Sequence, residues 1–248
     1  MNRKKEIIEK VAKWYDSQGG FKKDWGNFHK KLVYYRYLTA SKFFKGNTVL
    51  EMGIADGEMT EYLFKHFDKV VGLEGSEHFI EEVKHRFPEY FKSGRLELIH
   101  SLFEEYKSEA KFDTILAGHI LEHMENPIEI LTRIKDWLVD DGIIIILVPN
   151  ANSLHRQAGV KMGLLKKVDE RNDLDRKLGH RRVYSSETLK RDIKSAGLKI
   201  KEMGGVFLKP LTNAQIERWF TKEMMDAFYE LGKEYPEIAA EIYAVCEK

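Results

Sequence analysis

The chain has 248 residues, 43% hydrophobic and 33% charged, with a formal net charge of +1. That balance suits one large globular domain with a substantial core, and leaves no global field to draw in nucleic acid or an anionic membrane. The single cysteine, Cys246, excludes an internal disulfide framework and fits a reducing compartment.

The first residues run into an amphipathic pattern without the apolar core of a signal peptide. No apolar run reaches the ~18 residues needed to span a bilayer. A soluble, cytoplasmic protein is expected, monomeric or homodimeric, with a small molecule rather than nucleic acid or membrane as its partner. Residues 1–47 read as a helical cap. Ile7, Ile8, Val11, Ala12 and Tyr15 form one apolar stripe that Gly19-Gly20 stops. Phe28, Leu32, Tyr35 and Leu38 form a second. Trp14, Tyr15, Phe21, Trp25, Tyr34 and Tyr35 make this segment aromatic, able to close over a bound ligand or to pack on a sheet edge.

From residue 48 strands and helices alternate. Strand 48–52 precedes helix 58–67, and strand 69–74 precedes helix 76–87, with Ser76 as N-cap and Pro88 beyond its end. Strands 96–100 and 112–117 follow. His119-Ile-Leu-Glu-His123 leads to helix 127–138, capped by Asn126 with Pro127 in first position. Gly142 ends that region and strand 143–148 begins. Residues 150–183 are polar and basic and break the rhythm, so they read as a helical insertion over the strand carboxyl ends. Helix 186–196, strand 198–203, helix 213–233 and strand 241–245 complete the chain. This order predicts an α/β fold: a doubly wound, mostly parallel, seven-stranded sheet in a domain spanning 48–248.

The turn after the first strand carries small residues at every second position: Gly53, Ala55 and Gly57. A strand, a small-residue turn and a helix let backbone press against a ligand. The next strand ends in Glu74, whose carboxylate can accept from both hydroxyls of a ribose. A nucleoside-containing cofactor is implied. A dinucleotide fold places an acidic residue about 20 positions after its first glycine, which Glu74 satisfies. Yet no third glycine stands at position 58, and Glu51 sits where it would repel a diphosphate. A carboxylate there suits a ligand carrying positive charge, such as S-adenosylmethionine, which has a sulfonium, an ammonium and no phosphate.

Val49-Leu-Glu-Met-Gly-Ile-Ala-Asp-Gly57, Val71-Gly-Leu-Glu-Gly-Ser76 and Phe112-Asp-Thr-Ile-Leu-Ala-Gly-His-Ile-Leu-Glu-His-Met-Glu-Asn-Pro127 together resemble the class I S-adenosylmethionine-dependent methyltransferases. The last segment is especially similar to the ubiquinone-biosynthesis-type branch. The resemblance implies that Gly53, Ala55 and Gly57 line the methionine moiety, that Glu74 holds the ribose, and that Gly75 and Ser76 lie beside the adenine. It places Gly118 and His119 next to the methyl group. Where the family often has an acidic adenine contact, this chain has Ser101, so backbone from Leu102 and packing from Phe103 are expected instead.

Methyl transfer to a hydroxyl gains from a base of near-neutral pKa. His119 and His155 are the candidates, His119 because it directly follows a strand at the ligand-binding edge. His123 reads as a packing or capping residue. Asn150, Asn152, His155 and Arg156 leave the fifth strand as a polar cluster suited to acceptor recognition. His180, Arg181 and Tyr184 would hold an anionic group, or pair with nearby acids instead. His119-x-x-Glu122-His123 also matches an inverted zinc-protease pattern, but it ends a strand where a helix is required, and no metal is expected. The reading is transfer of a methyl group to a hydroxyl of a polar small molecule: a sugar, a nucleotide-sugar or a biosynthetic intermediate. The alternatives are N-methylation of an amino sugar or amine, a NAD-linked oxidoreductase, and a non-catalytic cofactor-binding module.

Overall fold

A computed structural model describes residues 3–17 and 26–248. Seven strands form one sheet: β1 (Thr48–Met52), β2 (Lys69–Glu74), β3 (Leu96–His100), β4 (Phe112–Gly118), β5 (Leu138–Pro149), β6 (Lys199–Val206) and β7 (Glu241–Glu247). Their order is β3-β2-β1-β4-β5-β7-β6. Pairing from β3 across to β5 is parallel, and β7 runs antiparallel to both neighbours. The order reverses between β1 and β4, which opens a crevice at the carboxyl ends of the strands.

The near-continuous apolar run of β5 is explained by burial on both faces. Ile144, Ile146 and Val148 join one core with Leu131 and Ile134 of helix Pro127–Asp136 and with Leu189 and Ile193 of helix Ser186–Ser195. Ile143, Ile145 and Leu147 join the other, with Phe28, Leu32 and Tyr35 of helix Gly26–Ala40. This is the two-residue period of a strand feeding two helical layers. Tyr35 stacks on Tyr229 with ring centroids 4.4 Å apart, and its hydroxyl donates to Asp226. It is therefore a core residue, not part of a closing flap. Gly19-Gly20, Phe21, Trp25 and the side chain of Tyr15 lie outside the described residues.

Both cap predictions hold: Ser76 Oγ accepts from the Phe79 N–H and Asn126 Oδ1 from the Glu129 N–H. Several boundaries differ from expectation. Helix 58–67 ends at Leu63, with a looser turn to Phe67. Helix 213–233 is two helices, Asn213–Trp219 and Lys222–Glu234, because Thr221 caps the second by accepting from the Met224 N–H. β5 begins at Leu138, so Gly142 lies inside it; a Cβ there would meet Leu138 and the Asp113 carbonyl under 3 Å away. β6 runs on to Val206 and β7 to Glu247, because the two pair with each other throughout. The insertion holds two short helices, Leu154–Lys161 and Asp173–Lys177, joined by turns.

Candidate active site

A cavity of about 460 Å³ opens at the carboxyl ends of β1, β2, β4 and β5, with the insertion along one side. One half is built from β1 and β2. Gly53, Ala55 and Gly57 all adopt positive φ, at 78°, 44° and 81°. The alternating small residues are thus a run of left-handed positions that folds the turn back toward Glu74. Gly53 and Ala55 line the cavity. Gly57 does not: a Cβ there would come within 2.8 Å of Phe87, so its role is close packing beside helix Glu58–Leu63.

Glu74 lines the cavity with Oε1 accepting from the Ser76 N–H at 2.9 Å and Oε2 from the Ala55 N–H at 3.3 Å. Burial raises its pKa above the usual carboxylate range against those hydrogen bonds. Glu51 accepts from Thr60 Oγ1 at 2.6 Å. Burial, with the nearby charges of Glu74 and Asp56, pushes it up to about 8. Asp56 is pushed up to about 7 by burial and Glu58. Among the described residues none of these three carboxylates has an ion-pair partner. Gly75, Ser76, Ser101, Leu102 and Phe103 stand behind this wall instead of on it. Ser76 caps helix Glu77–Arg86, the Ser101 N–H donates to the Glu74 carbonyl, and Leu102 packs over Gly75 and Phe103 toward Gly53.

The other half is built on β4 and β7. Gly118 lines it, with open space where a Cβ would stand. His119 follows at φ 56°, a left-handed setting that a non-glycine residue holds at a cost of roughly 1–3 kcal/mol. Its Nδ1 lies 3.2 Å from Glu122 Oε1 and its Nε2 lies 3.2 Å from Glu241 Oε2. Arg36 grips Glu241 through both Nε and Nη2, at 2.8 and 2.5 Å. Burial and the Arg36 charge lower the His119 pKa, but the two carboxylates outweigh them and hold it above the usual histidine value. Burial favours a neutral Glu241, yet Arg36 and His119 drive it well below the usual carboxylate range. The result is a chain of alternating charge, Glu122–His119–Glu241–Arg36.

The insertion residues divide. His155 lines the cavity and its buried Nδ1 has no partner among the described residues. Burial, Lys209 and Arg156 push it down to about 3, which leaves it neutral and a weak base. Arg156 touches the cavity, but its guanidinium holds the insertion together through the Val168 and Glu170 carbonyls and Asp175. His180 also lines the cavity, with Nδ1 3.0 Å from Asp175. Asn150 spends its amide on the Glu237 and Ala239 carbonyls and on the Asn152 N–H.

Three expected acceptor contacts are placed elsewhere. Asn152 lies outside the cavity lining. Arg181 is exposed near Glu125, although its N–H ties the insertion to the Glu122 carbonyl. Tyr184 is 1% exposed and donates to Asp192 in the core, because it follows the strand-like bridge between Asn150 and Tyr184 into the sheet. Glu122, His123 and His180 bring ligand-type atoms within 4.8 Å of one another. The sequence gives no hint of that meeting, since His180 arrives from the insertion.

Arg36 and Glu241 line the cavity and were not anticipated, whereas Lys209 lies in Phe207-Leu-Lys-Pro-Leu211, a segment whose place after the sixth strand marks it as completing the acceptor pocket. Arg36 and Glu241 are 205 positions apart, and neither belongs to a local motif. The one available signal was a carboxylate, Glu241, opening an otherwise apolar strand.

A family described as "Methyltransferase domain" matches residues 29–202, more than half of the chain. Ubiquinone biosynthesis O-methyltransferase of Pasteurella multocida (strain Pm70) is 28% identical over 153 residues, 58% of this chain and 62% of that protein. (S)-coclaurine N-methyltransferase of Papaver somniferum is 25% identical over 112 residues, 44% of this chain and 32% of that protein. The chain thus spans about a third to under two thirds of the length of these relatives. A SAM-dependent methyltransferase structure from Archaeoglobus fulgidus superposes with a TM-score of 0.59 at 19% identity, covering 88% of this chain and 94% of that one. No helix among the described residues is long and apolar enough to cross a membrane. With the seven-stranded sheet and the matched span together, this chain belongs to the methyltransferase domain family, on the class I S-adenosylmethionine-dependent fold.

Proposed function

We propose that this protein transfers a methyl group from S-adenosylmethionine to a hydroxyl of a polar small molecule seated under residues 150–183. The observation that carries the cofactor reading is the trio of buried carboxylates, Glu51, Asp56 and Glu74, that have no ion-pair partner among the described residues. Each is held above its normal pKa by burial, a penalty that a bound cation relieves. A ligand with a sulfonium and an ammonium supplies that charge, whereas a diphosphate adds to the repulsion. The left-handed turn at Gly53 and Ala55 and the open space at Gly118 provide the room.

The cofactor supplies an electrophilic methyl carbon already activated by its sulfonium. Glu74 would accept from the ribose hydroxyls with lone pairs its two N–H partners leave free. The insertion would exclude water and hold the acceptor in line. His119 would take the acceptor's hydroxyl proton at Nε2 once the acceptor displaces the Glu241 carboxylate from that nitrogen, and Glu122 at Nδ1 would stabilise the imidazolium that forms. Its raised basicity favours this role over His155. Because the ring must first be neutral, kcat/KM is expected to rise with pH through a value above 6.5. An amine acceptor is the second reading. It is favoured by the commitment of His119 to two carboxylates, since an unprotonated amine needs no base.

Calorimetry with S-adenosylhomocysteine and with NADH tests the cofactor. S-adenosylhomocysteine is expected to bind and Glu74→Ala to weaken it by roughly 10–100-fold, the loss of one or two hydrogen bonds to a charged group. Binding of NADH alone would end this reading. His119→Ala separates the two acceptors: a loss of about 10²–10⁴ in kcat supports the hydroxyl, and retained turnover supports the amine.

A further inference from the structure

In the acceptor half of the cavity Glu122, Glu241 and Asp175 each already face a cation of the protein, and one cation is left over. Arg36 is bound to Glu241, His119 faces Glu122, and Arg156 lies 3.3 Å from Asp175. Lys209 lines the same cavity, and among the described residues its ammonium has neither an ion-pair partner nor a hydrogen-bond acceptor. The carboxylates whose fields reach it, Glu241 and Asp175, are the ones Arg36 and Arg156 already hold.

Lys209 is also firmly aimed. Phe207, two residues earlier, sits at φ 61°. The Phe207 carbonyl accepts from the Ala240 N–H at 2.7 Å, and the Leu208 N–H donates to the Phe228 carbonyl at 2.8 Å. Gly232 packs so closely that a Cβ there would lie 2.4 Å from the Phe207 nitrogen. A strained backbone fixed on several sides is how a fold holds a side chain at a working position. Two buried polar atoms without partners among the described residues complete the surroundings: His155 Nδ1 and Asn213 Oδ1, both on residues lining this cavity. The His155 ring is close enough for Lys209 to depress its basicity.

Resting on the methyl-transfer reading, we propose that the acceptor carries one anionic oxygen group, a carboxylate or a phosphate. Lys209 binds that group, His155 donates beside it in its Nδ1–H tautomer, and Asn213 Oδ1, which can only accept, takes a hydrogen bond from a hydroxyl or amide of the same acceptor. The cavity is then bipolar. Its β1–β2 half is acidic and takes the cationic cofactor; its β4–β7 half has a surplus positive charge and takes an anionic acceptor. A cationic amine is disfavoured at the second half for the same reason. Burial lowers the Lys209 pKa to about 8 against the pull of Glu241. A bound anion restores the full charge, and such charge-assisted contacts are the strong ones.

The test uses the full chain saturated with S-adenosylhomocysteine, titrated by calorimetry with inorganic phosphate and, separately, with acetate. Saturable binding of at least one anion is expected. Lys209→Met should weaken it at least about tenfold, Lys209→Arg should retain it, and all three proteins should bind S-adenosylhomocysteine within about twofold of one another. Preference for phosphate assigns a phosphorylated acceptor, and preference for acetate a carboxylated one. If neither anion binds saturably, or if Lys209→Met binds them as the parent does, the proposal is overturned. Failure of S-adenosylhomocysteine to bind would instead strike the cofactor reading.

Discussion

At the carboxyl ends of β1 and β2, Glu51, Asp56 and Glu74 lie buried with no ion-pair partner among the described residues. At the ends of β4 and β7 and in the insertion helix Asp173–Lys177 beside them, Glu122, Glu241 and Asp175 each face a cation that the protein itself provides. Two walls of one cavity thus solve the problem of buried carboxylates differently. The first leaves charge for a ligand to complete, so the carboxylates' pKa values rise. The second completes itself, so Glu122, Glu241 and Asp175 titrate below their usual range. The first wall is built to bind a cation; the second is a framework that keeps its shape before any ligand arrives.

The largest expected effect comes from breaking the self-completed wall. Arg36→Ala leaves Glu241, 4% exposed, charged with only the His119 ring, which it shares with Glu122, against it. A stability loss of about 3–5 kcal/mol is expected in urea titration. The double variant Arg36→Met/Glu241→Leu should recover most of it, since no lone charge then remains. The same operation on the first wall should differ: Glu74→Ala removes a carboxylate that has no partner ion, and should cost the ligand-free protein far less. Equal losses at the two sites would erase the distinction between the walls.

The two walls also differed in how far the sequence revealed them. The first is local. Val49 to Gly57 and Lys69 to Glu74 are adjacent strand–turn units, and two of the turn's three left-handed positions, Gly53 and Gly57, announce themselves as glycine. Strand order, caps and the family followed from the same short-range signals. The second wall is assembled from Arg36, His119, Lys209 and Glu241, brought together by β7 entering between β5 and β6. No window of sequence contains that meeting. His119 was legible because it ends a strand, but its partners were not. Tyr184 and Arg181 were misplaced for a related reason. Polar residues at the end of an insertion look alike whether they face a ligand, the core or solvent, and only tertiary packing decides.

A smaller effect sharpens the first wall. Glu51 has a folded-state pKa of about 8 against an ordinary value of 4.5. Between those values the folded chain keeps a proton that the unfolded chain has released. Stability from this group therefore falls as pH rises from about 4.5 to 8 and is level above that. Glu51→Gln removes the dependence. The stability difference between parent and variant, from urea titrations at pH 5 and pH 9, should shift against the parent by up to a few kcal/mol. Parallel curves would show that Glu51 is not under the strain its burial implies. A bound cation should lower the Glu51 pKa again, so cofactor affinity should rise with pH in the parent and lose much of that rise in Glu51→Gln.

The smallest effect lies on the second wall, at a histidine that burial keeps neutral. His155 buries an imidazole nitrogen without a partner among the described residues, a cost of about 1–3 kcal/mol to the ligand-free protein. Phenylalanine has a similar shape and no polar atom to satisfy. His155→Phe should leave stability unchanged or raise it by about 1 kcal/mol, while weakening whatever the acceptor presents to Nδ1. Because this ring titrates near 3 in the folded chain against an ordinary 6.5, the parent loses stability as pH falls below about 6.5, so the variant's advantage should be larger at pH 5 than at pH 8 by about 2 kcal/mol, a pH dependence opposite in sign to that of Glu51→Gln. A stability gain paired with a raised acceptor KM would mark His155 as a group kept for its ligand. Loss of stability would mean that the nitrogen already has a use in the folded chain, and His155 would then belong with Arg156 to the scaffold of the insertion.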